Sequence, residues 1–206
     1  MDTGMGNNEM LFGELDFEES RPLGERTVSE GKLRWRLKKD GYKFAGKIAR
    51  DVDLIKGLMD ELYDGQCMEI ISDNIDSPHI IDAYLGEVAE CYVGTWAITP
   101  AGIAALKNLV DNGCSEIIVV MDRTHSYKWM FRDGAYKMLE GHVQFKFIKN
   151  HSKYIVMRLK DGTCMNFVGS MNLSNNPRFE NMRMSKDLDE FEFYKNFSKV
   201  AEGLLL

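Results

Sequence analysis

The sequence predicts an α/β fold: a mixed β-sheet flanked by helices on both faces, preceded by an acidic tail and a basic β-ribbon. Three observations carry this. From Asp51 onward, short apolar runs of strand length alternate with segments of helical periodicity. Two helical segments open on Ser77-Pro78 and Thr99-Pro100, an N-cap followed by a first-turn proline. The run Glu116 to Met121 is almost wholly apolar, as in a strand covered on both faces.

Residues 1–30 hold eight acidic and two basic side chains around one apolar cluster, MLFGELDF, and read as a flexible tail. Its Leu11, Phe12, Leu15 and Phe17 could dock on a partner protein or on the chain's own dimer. Residues 31–50 form a second unit. Residues 32–50 carry eight basic residues and one acidic, with Trp35, Tyr42 and Phe44 among them. Lys39-Asp40-Gly41-Tyr42 reads as a turn between two short strands. Two readings stay open: a surface that touches nucleic-acid backbone and stacks on bases, or a solvated ribbon whose aromatics face the core.

Residues 51–206 form the main domain. A helix is expected from Asp51 through Tyr63, then a strand over Cys67 to Ser72. A helix follows from the Ser77 cap to about Glu90, and a strand over Cys91 to Trp96. The helix from Thr99 ends at Gly113, and Glu116 to Met121 is a strand. Thr124 to Leu139 reads as a helix, Val143 to Ile148 as a strand, and Asp187 to Leu204 as a closing helix.

Apolar content of 44% and charged content of 28% are those of a globular protein. No apolar run has the length of a membrane span, and the first residues lack the basic-then-apolar pattern of a secretory leader. Cys67, Cys91, Cys114 and Cys164 show no metal-ligand spacing and read as buried free thiols in a reducing cytoplasm. The net charge is −6, but residues 121–186 hold twelve basic and five acidic side chains. A positive cleft in a negative protein would steer an anion; alternatively, the blocks mix in space and average away.

The stretch that carries chemistry is HSKYIVMRLKDGTCMNFVGSMN, residues 151–172. His151 and Lys153, two apart, are expected on one face of a strand. Lys160-Asp161-Gly162-Thr163 reads as a hairpin turn, and Cys164 to Val168 as the returning strand. Gly169 is expected to let backbone N–H groups approach a ligand. The hairpin should bring Asn172 back beside His151 and Lys153. Imidazole, ammonium and amide together suit a phosphate.

This stretch resembles the signature of the phospholipase D superfamily, H-x-K followed by G-S-x-N, at His151, Lys153, Gly169, Ser170 and Asn172. It departs at Arg158, where the signature has an Asp, and in a longer spacer. The resemblance implies an α/β sandwich and a metal-independent, cofactor-free phosphodiesterase. One His attacks phosphorus to form a phosphohistidine and a second protonates the leaving group, while Lys and Asn hold the phosphate. Ser170 would shape the loop or anchor phosphate. There is one signature copy, so a homodimer would complete the site. Glu180 is a candidate to orient His151, or else pairs with Arg178 or Arg183. Gly169, Arg123, Arg158 and Arg178 are the candidate substrate contacts. Two functions follow: a cytoplasmic nuclease acting on DNA or RNA, or a non-catalytic nucleic-acid- or protein-binding module that keeps the phosphate clamp.

Overall fold

The computed structural model describes residues 34–39, 42–49, 52–63, 65–72, 75–124, 135–174 and 180–201, the first two stretches as backbone path. The tail of residues 1–30 and Arg178 lie outside the described residues. In chain order the strands are β1 (Arg34–Lys39), β2 (Tyr42–Ala49), β3 (Cys67–Ser72), β4 (Val88–Thr95), β5 (Glu116–Asp122), β6 (Gln144–Ile148), β7 (Tyr154–Leu159), β8 (Cys164–Gly169) and β9 (Glu180–Ser185). The helices are α1 (Val52–Asp60), α2 (Ser77–Ala83), α3 (Pro100–Asp111) and α4 (Leu188–Val200).

The strands form one mixed sheet in the order β1-β2-β3-β9-β8-β7-β4-β5-β6. β4, β5 and β6 run parallel, as do β2 and β3, while β7 and β9 run against their neighbours. Alternation sends residues of one strand to two cores. Cys91 and Val93 of β4 join Ile55, Leu58, Ile80, Ile103 and Leu106 under α1–α3. Tyr92 packs with Ile118, Val156 and Phe191 under α4. Helices therefore cover both faces, as the sequence predicts.

Several boundaries differ from expectation. Asp76, not Ser77, caps α2: its carboxylate accepts the His79 N–H at 3.2 Å, and its own N–H donates to His79 Nδ1. α2 ends at Ala83; a turn over residues 84–87 and the first residues of β4 take the stretch expected to finish that helix. Of the helix expected over Thr124 to Leu139, the described part is a turn at Thr124 and one 3-10 turn, Ala135–Met138. His151 and Lys153 precede β7 rather than lying in it. Among the described residues, no helix is long and apolar enough to cross a membrane. All four cysteines are free, but only Cys91 and Cys164 are buried.

Candidate active site

The carboxyl ends of β4, β5 and β6 share one sheet edge with the start of β7, the end of β8 and the start of β9. Such edges are where open α/β sheets bind ligands. Asn150, 6% exposed, ties this edge together. Its Nδ2 donates to the carbonyls of Thr95 (3.2 Å) and Val120 (3.0 Å), and its Oδ1 accepts the Ser152 N–H (3.0 Å). Buried Asp122 accepts the Asn150 N–H at 3.1 Å and the Thr124 N–H at 2.8 Å. These bonds fix the backbone on both sides of His151, whose ring is exposed.

The loop after β8 is laced to the end of β4. The Trp96 N–H donates to Asn172 Oδ1 (3.1 Å), the Leu173 N–H to Thr95 Oγ1 (2.9 Å), and the Thr99 N–H to the Leu173 carbonyl (3.1 Å). With Oδ1 held by backbone, the rest of the Asn172 amide can act only as a donor. The Trp96 ring lies 5.9 Å from the His151 ring, centroid to centroid.

Lys153 Nζ donates to the His151 carbonyl at 2.9 Å and lies 3.4 Å from His151 Nδ1. A charged ammonium only donates, so when this contact is a hydrogen bond Nδ1 accepts it. Burial holds the Lys153 ammonium below the usual lysine range, and the Glu180 charge only partly offsets this. Imidazole, ammonium and amide donor thus converge at one edge. That combination can bind an oxyanion and move a proton to or from it. Among the described residues, no cluster of three or more His, Cys, Asp or Glu side chains is arranged to hold a metal ion.

No protein-family model matches the chain, and no curated protein matches it by sequence. Solved structures do. Polyphosphate kinase from Porphyromonas gingivalis superposes with a TM-score of 0.53 at 11% identity, over 67% of this chain. The chain spans 26% of the length of that kinase. The chain shares the fold of the matched part of that kinase, an α/β sandwich built on a mixed sheet. NucT from Helicobacter pylori matches at TM-score 0.44 and 15% identity, over 65% of this chain and 94% of its own. Nuc from Salmonella typhimurium, a phospholipase D family member, matches at TM-score 0.44 and 15% identity, over 65% and 91%. At these identities the likeness is one of fold.

Within this α/β frame the candidate residues separate. His151, Lys153, Ser170 and Asn172 meet at one edge. Glu180 reaches that edge but bonds Ser170 Oγ, whose oxygen also accepts the Asn181 N–H at 3.2 Å. It braces the loop instead of engaging the His151 ring as expected, and Arg183 pairs with Glu190 instead of Glu180. Gly169 serves another purpose than ligand approach: a Cβ there would stand 2.0 Å from the Asn181 carbonyl oxygen of β9. Arg158 lies about 13 Å along β7 from the site end. There it pairs with Glu192 at 2.5 Å and stacks 4.7 Å over Phe191, so it is a structural cation. Arg123 is exposed just past β5, with its N–H donating to the Ile148 carbonyl. Asn150, Asp122, Thr95 and Trp96 are the residues that sequence reasoning missed. The extra clue lay in Asn150 standing next to His151, but its acceptors are 55 and 30 residues away.

Proposed function

We propose that the chain is a metal-independent phosphodiesterase, a nuclease cleaving DNA or RNA at a site pooled by two subunits. The reading rests on one observation: the His151 ring, the Lys153 ammonium and the Asn172 amide gather at one strand-end edge. The partner's His151, neutral and with its ring proton on Nδ1, attacks phosphorus through the Nε2 lone pair; an N–P bond forms and the bond to the leaving oxygen breaks. His151, as the imidazolium, hands its Nε2 proton to the leaving oxygen and becomes neutral. It then takes a proton from water; the water oxygen bonds phosphorus and the N–P bond breaks. Lys153 and Asn172 of both copies donate to the non-bridging oxygens, where negative charge sits in the transition state. Identical halves take different roles because only one face of the phosphorus is opposite the leaving group.

The test is hydrolysis of bis(p-nitrophenyl) phosphate and of oligonucleotides in the presence of EDTA. His151→Ala should abolish turnover, and an acid-labile phosphohistidine should be trapped in the wild type. Equal rates for wild type and variant would end the enzyme reading. Salt-dependent nucleic-acid binding with no turnover by wild type would leave a binding module.

A further inference from the structure

The aromatics of the core and the aromatic at the site edge are placed differently. Tyr92, Tyr154 and Phe191 are exposed by 2% or less. Trp96, one residue past β4, is half-buried, and its ring lies against the exposed His151 ring with 57° between the planes. The two rings are tilted, so the imidazole does not cover the indole as a stacked partner would. The backbone around Trp96 is fixed on both sides. Asn172 holds its N–H, Thr95 Oγ1 donates to the Ala97 carbonyl at 2.6 Å, and Ile98 bridges Leu173. The loop bearing Asn172 is thus laced to the segment bearing the indole. A side chain on so fixed a segment loses little freedom when a ligand settles on it.

An oxyanion bound by His151, Lys153 and Asn172 therefore has an aromatic surface beside it, 5.9 Å from the imidazole. The sugar between a phosphate and its base can span such a gap. We propose that Trp96 is a stacking platform for a nucleobase next to the bound phosphate, which makes nucleoside phosphodiesters the substrate class. An indole stacks on the π-face of any base, so the platform favours a base over none without choosing its identity. A quaternary-ammonium headgroup, which aromatic rings also bind, is disfavoured because its charge would face the Lys153 ammonium beside His151. The platform rests on reading this edge as a phosphodiester site; it does not require that the diester be cleaved.

The experiment compares a short single-stranded oligothymidylate with its abasic counterpart, in which hydrogen replaces every thymine. The two carry the same phosphates, so they differ in stacking and not in charge. The N–H that Asn172 holds belongs to the backbone, so changing the Trp96 side chain tests the ring alone. In EDTA, the full-chain wild type should cleave the base-bearing strand with kcat/KM about 5–150-fold higher. Trp96→Leu should bring that ratio near one, and Trp96→Phe should keep most of it. An unchanged ratio in a folded Trp96→Leu protein would overturn the platform, even if both rates fell together, because that pattern marks a group that only positions His151. A wild-type ratio of one would overturn it too. If neither strand is cleaved, calorimetric titration with the same two strands decides. A preference in Kd that depends on Trp96 keeps the platform and removes the nuclease. Equal Kd values for both strands in the wild type remove the platform as well.

Discussion

The two ends of the β7–β8 hairpin each carry a cation, and the surroundings of the two differ. At the far end Arg158 pairs with Glu192, lies 3.9 Å from Glu90, and stacks on Phe191. Nearby, Lys195 bonds Glu90 at 2.7 Å and Lys199 meets Glu116 at 3.1 Å, while the Tyr92 hydroxyl, with its one proton, donates to Glu116 and lies 3.0 Å from the Glu90 carboxylate. At the site end Lys153 bonds a backbone carbonyl and an imidazole, and burial works against its charge. A cation matched by carboxylates holds a fold together. A half-buried cation matched by neutral groups is a cost that an anion can relieve. Lys153 and Arg158, two cations of one hairpin, are thus separable by experiment.

The largest effect is expected at Lys153. Lys153→Met should lower kcat/KM on a phosphodiester by about 10²–10³-fold, the scale of losing one oxyanion donor. It should leave the thermal midpoint unchanged or raised. A drop in both would make Lys153 a structural residue like Arg158. Next comes the strand contact behind the loop. Gly169→Ala drives a methyl into the Asn181 carbonyl and should cost about 1–3 kcal/mol in denaturant unfolding. A neutral result there would mean that β9 can slide and that the loop does not depend on it. Arg158→Met should cost about 1–2 kcal/mol through the lost ion pair and ring contact, with turnover of a small diester unchanged. Lost turnover in a stable Arg158→Met protein would return Arg158 to the substrate.

These cases also show what a sequence discloses. β3 was legible to the residue as Cys67–Ser72, and the β7–β8 turn was legible because Asp-Gly marks it: Gly162 has φ +91° and Asp161 accepts the Thr163 N–H at 2.9 Å. Local chemistry writes such features into adjacent residues. The role of Arg158 was not legible, because its partner Glu192 is 34 residues on and reaches it only when α4 folds over the sheet. Gly169 was misread for the same reason. Its neighbour belongs to β9, and nothing near Gly169 in sequence announces that approach. The position of His151 was off by a strand boundary, since Asn150 and Asp122 hold that segment in place of a ladder.

The smallest effect, and the sharpest contrast, lies in pH. Burial pushes the Glu90 carboxyl up, but bonds from Lys195 and Tyr92, with the Lys195 and Arg158 charges, hold it below its usual 4.5. Glu116 behaves likewise, burial being outweighed by Tyr92 and Lys199. A folded-state value below the unfolded one gives stability that is present above pH 4.5 and lost as pH falls through the depressed values. Lys153 is depressed too, but from 10.5, so its term is absent at neutral pH and appears only as pH rises toward 10.5. The far end should therefore loosen in acid, while the site end should tighten in base as the ammonium loses its charge and its function. Unfolding midpoints measured against pH should show Tyr92→Phe flattening the acid limb alone and Lys153→Met flattening the alkaline limb alone. If either substitution changed both limbs, the two ends would share one electrostatic network, and the division of the hairpin into a structural and a functional cation would not hold.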